Sequence, residues 1–399
     1  MHAHPPSGAP PRFAINAIVR QHGAAFRSTH ALSPAQRRVL DDLERCRTPA
    51  LGSHLYRCQQ CAAEVVLHDS CLNRHCPSCQ GPAQMRWVEQ RTQRLLSTHY
   101  FHLVFTLPAQ LRPLARRCPQ HIFALLFAAA AHTLLTLGHD PKRLGATLGF
   151  TLVLHTWKRD LLFHPHVHGI VSGGGLDVSA DRWVAAAPHY LFPGKVLGAL
   201  FRGKFLSGLA DLYHAHALDD ARLDPPAFRK LIGSLRTLDW LVYAKRPFGG
   251  PAQIVRYLGR YTHRVAISNA RLLDVRNDLV TFRTRGDGSC SIPPAEFIRR
   301  FLLHVLPDRF VKIRHYGLLA PANVNTHLKR AQQLLAAQPP SATANQQTPP
   351  QDLPTTQPEP PTNDARPRCP NCGARALIRL SPSVGRPRPA SPRAPPPDT

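Results

Sequence analysis

Acidic side chains are scarce in this sequence, with 24 aspartates and glutamates set against 50 lysines and arginines and a net charge of +26 over 399 residues. That balance is far from what enzymes of small metabolites usually carry, and it points to a polyanionic partner. A membrane-spanning run is missing as well. The most apolar stretch, "IFALLFAAAAHTLLTLG" (122–138), contains a histidine and falls short of the roughly 20 residues a bilayer requires, so it reads as a buried helix and no membrane partner is expected. The opening "MHAHPPSGAPPRFAINAIVR" lacks a basic segment followed by an apolar one, so it does not read as a secretory signal and a cytoplasmic location is expected. No G-x-x-x-x-G-K-[ST] loop occurs, which argues against a nucleotide cofactor.

What is present falls into four stretches. Residues 1–30 are Pro-rich and show no clear pattern. "LSPAQRRVLDDLERC" (32–46) reads as a helix with Ser33 as N-cap, Pro34 at its first position and Val39, Leu40 and Leu43 on one face. A cysteine cluster follows, and a second helix is expected over 81–96. From residue 97 strands alternate with helices. Strands are expected at 100–108, 146–157, 166–173, 239–245, 263–269 and 279–285, and helices near 119–138, 195–217, 251–262 and 294–305. The mixed order and the short connection at 158–165 predict an α+β domain with a largely antiparallel sheet over 97–335. Beyond about residue 336 the chain turns to Pro, Gln, Thr and Ala, and this tail, 336–399, is expected to be disordered. It carries "CPNC" (369–372), half of a metal site with no second pair nearby in sequence.

Six of the ten cysteines fall between residues 46 and 79. In a cytosolic chain such clustering reads as metal binding rather than disulfides. The C-x-x-C pairs Cys58/Cys61 and Cys76/Cys79 have nearly the spacing of a zinc ribbon, while Cys46, His54, Cys71 and His75 are left over in a number that would fill a second tetrahedron. All eight are candidate ligands of structural zinc, and sequence order leaves their pairing open.

"FHPHVHGIVSGGGL" (163–176) places His166 and His168 two apart, hence on one face of a strand with side chains about 6–7 Å apart, near enough to share one ion. His164 has the same parity but precedes Pro165 and is expected in the turn. "SGGGL" reads as a turn after the strand in preference to a phosphate cradle. Further on, "GGPAQIVRYLGRYTHRVAISN" (249–269) sets Tyr257 and Tyr261 at i and i+4 on one helical face, beside a row of Arg256, Arg260 and Arg264 suited to phosphates. Together these describe strand cleavage by transesterification. A phenol with a pKa near 10 needs a positioned phosphate and a Lewis acid to act as nucleophile at neutral pH. Covalent phosphotyrosine then preserves the energy of the phosphodiester for rejoining.

In order, "CRTPALGSHLYRCQQC", "SCLNRHCPSCQ", "HPHVHGIVSGGGL", "YLGRYTHRVAISN" and "IRHYGLLA" resemble the HUH (His-hydrophobic-His) transposases of the insertion-sequence-91 family, over about residues 30–330. The resemblance implies a zinc-binding domain at 31–96 and an HUH endonuclease domain at 97–335, its central antiparallel sheet flanked by helices. It makes His166 and His168 ligands of a catalytic Mg²⁺ or Mn²⁺, and Tyr257 and Tyr261 the paired nucleophiles of the two-tyrosine type. A third ligand is expected, with His155 on the preceding strand ranked ahead of Gln253 and His164. The implied partner is DNA, mainly single-stranded or hairpin element ends, in a bacterial, nucleoid-associated protein. A plasmid replication initiator or relaxase would share the chemistry, and a zinc-dependent DNA-binding protein would lack it.

Overall fold

In a computed structural model, residues 13–79, 89–248, 266–337 and 368–380 are described. Their strands, in chain order, are β1 (Ser53–Cys58), β2 (Glu64–His68), β3 (Tyr100–Thr106), β4 (Thr147–Trp157), β5 (Phe163–Asp177), β6 (Arg182–Ala185), β7 (Val242–Phe248), β8 (Leu272–Arg276), β9 (Leu279–Arg283), β10 (Ser289–Ile292), β11 (Ile313–Gly317) and β12 (Leu377–Arg379). The helices are α1 (Ile15–Thr29), α2 (Pro34–Arg45), α3 (Arg112–Arg117), α4 (Pro119–His139), α5 (Gly194–His214), α6 (Pro225–Thr237), α7 (Pro294–Leu302) and α8 (His327–Ala336). They divide between two compact units. One takes the described parts of 1–85, 263–305 and 350–397, the other those of 86–262 and 306–349.

The second unit is built on an antiparallel sheet in the order β11-β4-β5-β3-β7, with β6 added to the far end of β5. This is the expected α+β architecture. The apolar run at 122–138 becomes α4, whose Ile122, Phe123, Leu126, Phe127 and Leu134 are buried. Although α4 has the length and hydropathy of a spanning helix, it serves here as a core helix. Phe105 of β3 meets Phe201 of α5 edge-on at 5.1 Å, and Phe201 and Phe205 in turn pack on Trp240. Full burial of side chains such as these stabilises by about 1.5–3 kcal/mol each. A second apolar cluster, with Tyr100, Val153, Ile170, Leu176 and Leu318, lies with Leu328 and Ala331 of α8.

The glycine run of "SGGGL" is no turn. It lies within β5, where Gly174 and Gly175 face close backbones, since a Cβ would stand 2.5 Å from the Val184 carbonyl oxygen at Gly174 and 2.7 Å from that of Thr147 at Gly175, while a Cβ on Gly173 would meet the His99 side chain. His164 likewise lies inside the strand, because β5 already begins at Phe163. "IRHYG" is edge strand β11, paired to β4 with Thr151 opposite His315. Helices α3, α6 and α8 are not among those expected from the sequence.

In the first unit α2 forms as expected. Ser33 accepts from Gln36 N–H and the Gln36 side chain accepts from Ser33 N–H, a capping box over Pro34 at the first position. Residues 15–29, which show no clear pattern in the sequence, form α1, which buries Ile15, Ile18, Val19 and Phe26. Arg27 ties it to α2 through Asp41 and Glu44. Hairpin β1–β2 gains β12 as its third strand, so residues 377–379 of the tail expected to be disordered are ordered. Strands β8–β10 form a meander against α7, with Phe282 and Phe297 in edge contact at 5.7 Å. Residues 266–305, expected within the 97–335 domain, thus fold with the first unit. The expected strand at 263–269 shows none over its described residues 266–269.

Candidate functional site

Strand pairing brings the histidines together. In the β4–β5 register His155 stands opposite His166 and Val153 opposite His168, while β3 sets Thr106 opposite His166 and Val104 opposite His168. Alternation then turns His155, His166 and His168 to one face. One ring nitrogen from each lies within 4.8 Å of the others, and the Nε2 atoms of His166 and His168 are 3.1 Å apart. His155 is held by stacking on Trp157, with ring centroids 4.5 Å apart. Sequence ranking had put it first as third ligand, and the sheet brings it to the pair.

Hydrogen bonds orient these rings. His166 Nδ1 is 2.7 Å from the His164 carbonyl oxygen, which can only accept, so Nδ1 carries the proton and Nε2 keeps its lone pair. Burial pushes His166 down to about 4, leaving the ring neutral at pH 7 and fit to donate that pair. On the other side His168 Nδ1 lies 2.8 Å from Nε2 of His102, a buried histidine of β3 that sequence reading passed over. Only the long-range β3–β5 register could have exposed it, since His102 pairs with Ile170, diagonal to His168. His164 is turned to another task. Its Nδ1 takes a hydrogen bond from Arg112 at 3.1 Å, and burial, followed by the His166 and Arg112 charges, lowers it to about 4.

The cysteines sort differently from the spacing argument. Cys46, Cys71, Cys76 and Cys79 form one cluster, with Sγ separations of 3.5 Å for Cys46–Cys79, 3.6 Å for Cys46–Cys76 and 3.7 Å for Cys71–Cys79. Tetrahedral zinc, with Zn–S about 2.3 Å, sets its sulfurs about 3.8 Å apart, whereas a disulfide needs about 2.05 Å. The donor set therefore fits zinc. Mutual hydrogen bonding draws the Cys76 and Cys46 thiols below their ordinary values and pushes Cys71 and Cys79 above theirs, so the four thiols share their protons as one group. Asn16 of α1 adds an N–H 3.5 Å from Cys76 Sγ and donates to Leu43 O.

Cys58 and Cys61 do not join this cluster; they meet Cys369 and Cys372. The two adjacent C-x-x-C pairs thus belong to different sites, because hairpin β1–β2 carries the first pair away from the second. His54 and His75 are in neither. His54 Nε2 pairs with Asp69 at 3.1 Å, and His75 turns its Nδ1 to Asn73 Oδ1 at 3.1 Å. Tyr257, Tyr261, Arg256, Arg260, Arg264 and Gln253 lie outside the described residues, as do all of the helix expected at 251–262 and residues 81–88 of the one expected at 81–96, whose described part is helical only over 89–92.

Residues 149–327, which carry the histidine face, match a family described as "Putative transposase", and residues 18–107 match one described as "Transposase zinc-binding domain". A protein of Sinorhizobium fredii named "Putative transposase y4qJ" is 44% identical over 341 residues, 82% of this chain and 86% of that one. The chain belongs to the insertion-sequence-91 transposase family. The transposase for insertion sequence element IS801 of Pseudomonas savastanoi pv. phaseolicola is 28% identical over 314 residues, covering 75% of this chain and 73% of that one. No solved structure matches. As a transposase of this family the protein is a DNA-cleaving enzyme, and its basic excess matches such a partner. The matched zinc-binding domain and the Cys46, Cys71, Cys76 and Cys79 cluster within it together identify structural zinc.

Proposed function

We propose that this transposase cuts and rejoins single-stranded DNA at the ends of its element through a covalent 5′-phosphotyrosine. The observation that supports this reading best is the meeting of His155, His166 and His168 on one sheet face. Two ligands in cis positions on an octahedral ion at about 2.1 Å stand about 3.0 Å apart, close to the 3.1 Å between the Nε2 atoms of His166 and His168. The three imidazoles fit a divalent cation, Mn²⁺ or Mg²⁺, which would supply Lewis-acid polarisation of the scissile phosphate.

The chain's own groups do the rest. Tyr257 or Tyr261 supplies the phenol oxygen, which forms a bond to phosphorus as the bond from phosphorus to the 3′ oxygen breaks. The phenol proton passes to solvent and the 3′ oxygen leaves as a hydroxyl. Two tyrosines allow one to hold an end while the other attacks the next. Arg256, Arg260 and Arg264 neutralise backbone phosphates. Cys46, Cys71, Cys76 and Cys79 hold the structural zinc that folds the 46–79 segment.

Nicking of a single-stranded oligonucleotide carrying an element end tests this. Manganese-dependent nicking is expected from the unsubstituted protein and its loss from His166→Ala, His168→Ala, with oligonucleotide binding retained. A double variant that still nicks would rule the reading out.

A further inference from the structure

Two turns of the same build face each other at the β1–β2 hairpin. In the first, residues 58–63, Ala62 N–H donates to Cys58 O at 2.9 Å and Cys58 N–H donates to Ala63 O at 2.9 Å. In the second, residues 369–374, Gly373 N–H donates to Cys369 O at 2.8 Å and Cys369 N–H to Ala374 O at 2.7 Å. The fifth residue is left-handed in both, Ala62 at φ 57° and Gly373 at φ 76°. Each turn thereby offers two thiols to one side, the geometry that lets a C-x-x-C pair grip a single ion.

The strands between the turns are joined as well. β12 pairs antiparallel with β1, Cys58 opposite Leu377, and Gln59 N–H reaches Ala376 O at 2.8 Å. Across the two turns Cys58 Sγ lies 3.6 Å from Cys372 Sγ and Cys61 Sγ 3.7 Å from Cys369 Sγ. These are zinc-tetrahedron separations, about 3.8 Å, and too long for disulfides. Cys58 and Cys369 are buried beside Leu377, Tyr56, Val65 and Leu67, an apolar setting that shields the sulfurs. The Asn371 amide stands 3.6 Å from Cys61 Sγ.

We propose that Cys58, Cys61, Cys369 and Cys372 bind a second structural zinc ion, and that this ion fastens the C-terminal segment to the N-terminal zinc-binding unit. The second pair lies far outside the matched zinc-binding stretch, 18–107. Closing a loop of 308 residues carries an entropic cost that a three-residue strand is poorly able to offset, while tetrathiolate coordination offsets it readily. The site is independent of the cleavage chemistry, so its test is independent too.

Zinc content of the full-length protein, measured by mass spectrometry of metal and protein together, should be two ions per chain. Cys369→Ser, Cys372→Ser should retain one. An unsubstituted chain with a single ion, or a variant that keeps two, would overturn the site. Alkylation mapping of the unsubstituted protein decides the same point without relying on the variant's folding. In the zinc-loaded protein Cys58, Cys61, Cys369 and Cys372 should all resist N-ethylmaleimide and become reactive together as a chelator withdraws zinc. Fast labelling of Cys369 and Cys372 while Cys58 and Cys61 stay protected would overturn the proposal.

Discussion

The Nε2 atom of His102 lies 2.8 Å from Nδ1 of His168, with the two ring planes within 8° of parallel. For His168 to present its Nε2 lone pair beside that of His166, its proton must sit on Nδ1 and be donated to His102. His102 is thereby a positioning residue for the histidine face, and partners of this kind set metal affinity by about 10–100-fold. His102→Ala should raise the Mn²⁺ concentration for half-maximal nicking by that order, with nicking recovered at saturating metal. An unchanged metal requirement would mean that His102 only packs.

His155 and His164 flank the same pair but should behave oppositely. His155 brings a ring nitrogen to the cluster, whereas His164 spends its Nδ1 on Arg112 and serves His166 through a backbone carbonyl that any residue supplies. His155→Ala should weaken Mn²⁺ binding, read by electron paramagnetic resonance of free Mn²⁺, by at least about tenfold. His164→Ala should leave it within a few-fold. The reverse pattern would make His164 the third ligand.

Acid should loosen the second unit. Burial lowers His166 and His164 to about 4 and His315 to about 3, against roughly 6.5 in an unfolded chain. Between these values the unfolded chain binds more protons, so stability rises with pH across the window and is lost as pH falls from about 6.5 toward 4. The Tm of the metal-free protein should be flat above pH 7 and fall steeply below 6.5. His315 Nδ1 shares a hydrogen bond of 2.8 Å with the Thr151 hydroxyl and holds no place in the histidine cluster, so His315→Asn should make the fall shallower. A slope unchanged by that substitution would show that His315 contributes nothing to it.

Glycine requirements in the sheet can be tested in a pair. Gly175→Ala forces a Cβ against the Thr147 carbonyl, a backbone atom that has no rotamer by which to yield, and should destabilise by about 1–3 kcal/mol in urea unfolding. Gly203→Ala lies in α5 where a Cβ meets nothing within 4 Å, and it should stabilise by about 0.5–1 kcal/mol. Equal effects at the two positions would contradict the close approach of β4 and β5.

What the sequence disclosed and what it hid divide along locality. The N-cap at Ser33 with Pro34 behind it, and the shared face of His166 and His168, depend on residues one or two apart, where local helix and strand rules are decisive. His102 was invisible because its value depends on the β3–β5 register. The Cys369/Cys372 pair seemed solitary because its partners lie about 310 residues earlier in the chain. The adjacent pairs Cys58/Cys61 and Cys76/Cys79 misled for the same reason in reverse, closeness along the chain standing in for closeness in space. The glycines of "SGGGL" read as a turn because what excludes their Cβ atoms is tertiary, the neighbouring backbones of β4 and β6.

A tyrosine of this transposase should become joined to DNA. Incubation of the full chain with Mn²⁺ and a single-stranded oligonucleotide bearing an element end, followed by denaturation and peptide mapping of the adduct, tests it most directly. The adduct should survive SDS, carry the 5′ phosphate on Tyr257 or Tyr261, and vanish in Tyr257→Phe, Tyr261→Phe. An adduct mapped to any other residue, or one that persists in that double variant, would rule out these tyrosines as the nucleophiles.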